Sequence, residues 1–194
     1  MKEIYYSLLL TSMLSVSAWS QQVPINRWHF EVEPLQFVNR GWSVVAHYTV
    51  STRLQIGTNA FSQVLSPGLT NFAFPGSGTR SIQATQDFGM NLSIRYFLQK
   101  KELQSGWVVS LPLGWETWTL VDPETEGEAS YAFWYLSPRI GYLWYPFQKK
   151  HFYLLAEAIA IIPIIQDAPV LFTDTEVAVR SLIPLPSLGL GLAF

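Results

Sequence analysis

Apolar and polar side chains take turns along most of this chain. Between residues 84 and 98, Phe88, Met90, Leu92, Ile94 and Tyr96 alternate with Asp87, Gly89, Asn91, Ser93 and Arg95. Between 105 and 119, Trp107, Val109, Leu111, Leu113 and Trp115 oppose Ser110, Gly114 and Glu116. Between 130 and 146, Trp134, Leu136, Ile140, Tyr142 and Trp144 oppose Ser137, Arg139 and Gly141. A period of two puts successive side chains on opposite faces of a β-strand. The same pattern predicts eight strands, at 28–38, 41–50, 52–62, 84–98, 105–119, 130–146, 151–163 and 183–194. Short turns are expected at 51–52, 99–104 and 147–150, and longer loops at 63–83, 120–129 and 164–182. The first connection, around Asn39-Arg40-Gly41, is short.

The greasy face of these strands carries aromatic rings at regular heights. Trp107 and Trp115 are eight residues apart, and Trp134 and Trp144 are ten apart. With strands tilted as in a barrel wall, those gaps span roughly 19 to 23 Å, close to the apolar band of an outer membrane. Trp42, Trp115 and Trp134 form an upper belt, and Tyr48, Tyr96, Trp107 and Trp144 a lower one, as expected for amphipathic rings at a membrane interface. A soluble sandwich would turn these rings into its core and would have no use for belts at this separation. After the first 20 residues, no segment has 18 or more uninterrupted apolar residues. A chain that crosses a membrane without such helices must close its strands into a barrel. The fold class is therefore all-β, an eight-stranded antiparallel transmembrane β-barrel.

Composition adds limits. Charged residues make up 13% of the chain and net charge is −2, so no nucleic-acid footprint is present. There is no cysteine, so neither a disulfide nor a lipoprotein acceptor can form. An apolar run from Tyr5 to about Val16, followed by Ala18-Trp19-Ser20, reads as a signal peptide over 1–20 with cleavage before Gln21. Residues 21–194 are then one barrel domain. In the last strand Leu188, Leu190, Leu192 and Phe194 share one face, and Ser187, Gly189, Gly191 and Ala193 the other.

Leader, alternating strands, loop asymmetry and this last strand together resemble the small eight-stranded bacterial outer-membrane barrels, the class of OmpA-like transmembrane domains and OmpX-like and OmpW-like proteins. The resemblance implies that Leu188, Leu190, Leu192 and Phe194 form the signal read by the barrel assembly machinery. It also implies contact with outer-membrane lipids and lipopolysaccharide, and leaves any extracellular ligand unidentified. It does not choose among structural, adhesive, channel-like and enzymatic members.

The inward face carries the candidate chemistry. Glu31, Glu33, His47, Asp87, Asn91, Arg95, Glu116, Arg139 and Glu157 are assigned to a lumen network. Charges in a narrow interior need partners or water, and Arg95 with Asp87 or Glu33, and Arg139 with Glu116 or Glu157, are the expected pairs. An eight-stranded interior is just wide enough for side chains, which favours a packed polar core over free solute passage. No zinc spacing or phosphate-cradling loop stands out, and neither metal nor cofactor is expected. Small barrels similar to lipid A deacylases and palmitoyltransferases use a histidine, a hydroxyl and a carboxylate near the outer rim. Here His29, His47 and His151 fall near the opposite rim, and no catalytic residue is assigned. The leading reading is a non-enzymatic structural or surface-interaction barrel. The alternative is a narrow conduit for small or hydrophobic solutes, and a lipid-modifying enzyme is the third. The acidic run Asp122 to Glu128 is read as a solvated outer loop, and Lys100, Lys101, Lys149 and Lys150 as residues of the opposite turns.

Overall fold

In a computed structural model, residues 27–75, 82–99, 105–147, 151–172 and 175–194 are described. The predicted leader and the four turn lysines lie outside them. The strands are β1 (Trp28–Val32), β2 (Trp42–Ser51), β3 (Leu54–Val64), β4 (Gln83–Phe97), β5 (Gly106–Asp122), β6 (Gly127–Leu136), β7 (Arg139–Trp144), β8 (Phe152–Gln166), β9 (Val170–Phe172), β10 (Thr175–Val177) and β11 (Ile183–Ala193). Two short helices, α1 (Pro34–Val38) and α2 (Pro67–Ala73), follow β1 and β3.

The sheet closes on itself. Each of β1 to β5 pairs antiparallel with the next, β6 and β7 both bridge β5 to β8, and β11 joins β8 back to β1. β6 and β7 are one wall strand broken at Ser137-Pro138, because proline has no N–H for the ladder. The wall therefore counts eight strands. β9 and β10 form a separate hairpin in the last long connection.

Inward glycines let a narrow wall hold bulky side chains. Tyr153 lies directly opposite Gly191, Tyr135 opposite Gly114, Phe61 opposite Gly89, and His47 opposite Gly57. A Cβ on any of these glycines would overlap the ring across from it. Each ring lies over the bare backbone of its neighbour and takes the space a second side chain would need.

Three connections differ from the sequence expectation. The strand expected at 28–38 stops at Val32, and 34–38 is α1. Pro34 stands in the first turn of α1, where a missing N–H costs nothing, and Glu33 caps it in extended conformation. The loop expected at 120–129 is mostly strand, since β5 and β6 continue to Asp122 and from Gly127. The buried Asp122 carboxylate accepts from the Glu124 N–H at 3.0 Å and the Thr125 hydroxyl at 2.8 Å, which folds the acidic run into a tight turn. The stretch at 164–182 begins as strand and contains the β9–β10 hairpin.

The core has layers. At the short-turn end, Val108, Leu143, Tyr153, Leu155 and Ala193 pack together. At the long-loop end, α2 and the last connection bring Phe74, Trp118, Tyr131, Phe133, Phe172 and Val179 into a larger apolar cluster. Polar groups occupy the middle.

Candidate functional site: the lumen network and the cavity above it

Glu31 on β1 and Arg95 on β4 face each other across the lumen and form an ion pair. Arg95 makes a second bond to the same carboxylate, Nη2 to Oε2, at 3.1 Å. The Tyr153 hydroxyl donates to Glu31 Oε1 at 2.7 Å. Both charges are almost fully buried, Glu31 at 4% and Arg95 at 3% exposure. A bidentate contact plus a phenol donor offsets the desolvation of two charges better than a single contact does.

A second group lies nearer the long-loop end. Arg139 Nη1 is 3.5 Å from Glu157 Oε2 and 3.9 Å from Glu33 Oε1. Ser187 donates to Glu33 at 3.2 Å, and Ser43 Oγ is 3.0 Å from Glu33 and 3.2 Å from Asn59 Oδ1. Trp118 Nε1 donates to Glu116 at 3.0 Å, and Asn91 donates to the Tyr135 hydroxyl at 3.2 Å. The space left among these side chains is about 20 Å³. That is room for about one water molecule.

Among the assigned lumen residues, Glu31, Glu33, His47, Asn91, Arg95, Glu116, Arg139 and Glu157 face the interior. Asp87 does not, which corrects its assignment. A bulge between Gln86 and Phe88 shifts the alternation by one residue, so Ala84 and Gln86 point in while Asp87 and Phe88 are exposed. On the outside, Asp87 accepts from the Thr119 hydroxyl at 2.8 Å. Arg95 accordingly pairs with Glu31, not with Asp87 or Glu33, and Arg139 with Glu157 and Glu33, not with Glu116.

Sequence reasoning also missed a juxtaposition. His47 Nε2 lies 3.0 Å from Ser93 Oγ, and His47 Nδ1 lies 3.7 Å from Glu31. Hydroxyl, imidazole and carboxylate thus stand in the order of a hydrolytic triad. They come from β4, β2 and β1, so no spacing along the chain announces them. The geometry argues against catalysis. The His–Glu distance exceeds a hydrogen bond, Glu31 is already committed to Arg95 and Tyr153, and the adjoining space is too small for a substrate. His29 Nε2 makes a similar structural contact, 3.1 Å from Thr49 Oγ1.

Above the polar layer the interior opens into a cavity of about 320 Å³. Phe61, Trp118, Phe133, Ile161, Ile183 and Leu185 wall it; α2 contributes Leu69, Phe72 and Ala73. Its lower boundary is polar, with Glu33, Asn59, Glu116 and Arg139. Leu35, Gln36, Val38 and Asn39 of α1 and its C-terminal cap line one side, next to Leu185, Pro186 and Ser187 of β11.

The outer surface has the opposite character. Trp42, Tyr96, Trp107, Trp134 and Trp144 are exposed, Tyr48 and Trp115 are half-buried, and Leu92, Ile94, Leu111, Leu113 and Ile140 are exposed between the rings. Leu188, Leu192 and Phe194 are exposed on the same face of β11 and Leu190 is half-buried. A continuous apolar exterior around a polar middle layer is stable only with lipid outside.

No family model matches the chain, and no curated protein matches it. Solved structures do. The N-terminal β-barrel domain of Pseudomonas aeruginosa OprF aligns over 87% of this chain and 98% of its own length, with a TM-score of 0.56 and 11% identity. A major outer membrane protein of Thermus thermophilus aligns over 88% and 100%, with a TM-score of 0.50 and 8% identity. The chain has the fold of these small transmembrane β-barrels. At such identities the likeness fixes the fold alone, and no residue role passes from those proteins to this barrel. The longest connections, β3 to β4 and β8 to β11, lie at one end of the barrel and the β2–β3 turn at the other, an asymmetry that outer-membrane barrels show.

Proposed function

We propose that this protein is a closed, non-enzymatic barrel with a structural or surface-interaction role in the outer membrane. The observation that carries the reading is the Glu31–Arg95–Tyr153 contact across the lumen, with Arg139, Glu157 and Glu33 stacked above it. These groups fill an interior that eight strands leave barely wider than its side chains. The conduit reading has support only at the outer end, where the apolar cavity stops on Glu33, Glu116 and Arg139. The lipid-facing residues Leu188, Leu190, Leu192 and Phe194 serve, on this proposal, as the assembly signal. The long connections are the surface available to an extracellular partner.

Planar-bilayer recordings of the purified, folded protein test the closed state. Silence is the expected result. Reproducible conductance steps that change in Arg95→Ala and Arg139→Ala variants would replace this reading with a pore.

A further inference from the structure

The wall of the barrel is incomplete at one place. β1 pairs with β11 only from His29 opposite Ala193 to Val32 opposite Leu190. Beyond that point β11 still pairs with β8, up to Ile183 opposite Ile161. Continuing the β1 register would set residues 34, 36 and 38 against Leu188, Pro186 and Pro184, but residues 34–38 are coiled into α1. On the other flank, β2 pairs with β1 only as far as Val45, so Trp42 to Val44 have no β1 partner.

The prolines are placed for this gap. Trp28 and Phe194 exchange backbone hydrogen bonds, at 3.1 and 2.8 Å. Antiparallel strands alternate the direction of their backbone groups, so even-numbered residues of β11 address β1. Pro184 and Pro186 fall on that unpaired edge and bring no N–H to it. An unsatisfied donor facing lipid costs several kcal/mol, so proline suits a permanent opening where other residues would favour closure.

The opening faces hydrocarbon. Leu35, Phe37 and Val38 of α1 are 46%, 55% and 78% exposed, and Trp42 of the upper belt adjoins the helix. A helix with such an outer surface belongs in the membrane, not in water. Behind it lies the cavity of about 320 Å³, at the lower end of the volumes that hold small ligands. Its apolar walls favour a hydrocarbon occupant over water. The guanidinium at its lower boundary, Arg139, is already engaged by Glu157 and Glu33, which leaves an anionic headgroup no open cation to meet and disfavours its entering first. On the β3 side of the cavity the Asn39 amide donates to Gln63 Oε1 at 3.4 Å, a polar rim at which a lipid's ester region can stay.

We propose that one acyl chain of an outer-leaflet lipid enters this cavity tail-first through the gap between α1 and β11. The slot is a dead end, because the polar layer closes it below. What reaches a gap in the lipid-facing wall is lipid.

Trp118 reports on occupancy, since it lines the cavity and is 5% exposed. Trp19, Trp28, Trp42, Trp107, Trp115, Trp134 and Trp144 are replaced by Phe, and the barrel is reconstituted in phosphatidylcholine vesicles brominated near the chain end. A companion barrel keeps Trp42 as its single tryptophan in place of Trp118. The expected result is quenching of Trp118 comparable to that of Trp42, lost on adding Leu185→Phe, whose larger side chain crowds the entrance between α1 and β11. An unquenched Trp118 beside a quenched Trp42 would overturn the proposal, as would quenching that persists with Leu185→Phe, because bromine would then act through the wall. Should the single-tryptophan chain fail to fold, native mass spectrometry of the wild type in phosphatidylcholine nanodiscs decides. One retained lipid, absent from Leu185→Phe, supports the slot; no retained lipid, or equal retention in both, rejects it. A conducting lumen would defeat the closed-barrel reading without altering these outcomes.

Discussion

Glu31 takes its partners from two other strands. Arg95 comes from β4 and Tyr153 from β8, while Glu31 itself sits on β1. Removing one charge leaves the other buried and unpaired, which costs about 3–5 kcal/mol. Arg95→Met is therefore expected to lower stability by about that amount in urea unfolding from vesicles. Glu31→Leu combined with Arg95→Met is expected to recover part of the loss, because the apolar pair leaves no unpaired charge although the Tyr153 hydroxyl loses its acceptor. A double variant no better than the single would mean that the pair does more than balance charge. Parity along each strand told which side chains point inward, and it did so for Arg95. It failed at Asp87, where the bulge adds one residue that no sequence pattern marks. The identity of each partner was not legible at all. Arg95 meets Glu31 across the lumen, and that contact depends on stagger between strands that are not neighbours.

Two kinds of residue set the behaviour of the strands, glycines that face rings and prolines that face the gap. Gly114→Val would drive a branched side chain into Tyr135, and Gly191→Val into Tyr153. Overpacking of this kind costs about 1–3 kcal/mol. Gly68→Ala in α2 meets nothing within 4 Å and is expected to be neutral or to stabilise by up to about 1 kcal/mol through helix propensity. Heat-modifiable gel mobility of the folded barrels separates these cases. Similar losses at all three positions would refute the packing argument. On β11, Pro184→Ala and Pro186→Ala are expected to destabilise the barrel, because the restored N–H faces hydrocarbon with no β1 partner to accept from it. Leu192→Pro is expected to cost several kcal/mol, since Leu192 lies in the paired register opposite Phe30. Neutral or stabilising effects of Pro184→Ala and Pro186→Ala would mean that the gap closes in the membrane and the restored N–H finds a β1 partner. The repeated inward glycines were visible in the sequence as tolerance for curvature or for bulky neighbours. Their one-to-one matching with Tyr135, Tyr153, Phe61 and His47 needed the register. β1 was read as longer than it is because Leu35 and Phe37 prolong the apolar character past Pro34. Only the helix explains why both are exposed.

Across the whole barrel the interior is closed twice below the cavity. The charged layer of Glu31, Arg95, Arg139 and Glu157 comes first, and the apolar layer of Val108, Leu143, Tyr153 and Leu155 lies beneath it. The two layers resist ions for different reasons. The upper one fills space with groups that are mutually neutralised, whereas the lower one offers an ion no polar contact to replace its water. Tyr153 belongs to both, because its ring packs in the lower cluster while its hydroxyl reaches Glu31. Loss of the charged pair alone should then leave the barrier standing. Glu31→Ala with Arg95→Ala is expected to remain silent in planar bilayers, while the same pair with Tyr153→Ala added is expected to show small cation-preferring steps, since Glu33 and Glu157 outnumber the remaining Arg139. Steps from the double variant would show that the electrostatic layer is the whole barrier. Silence from a verified folded triple variant would move the barrier to Val108, Leu143 and Leu155, whose side chains close the same level without Tyr153.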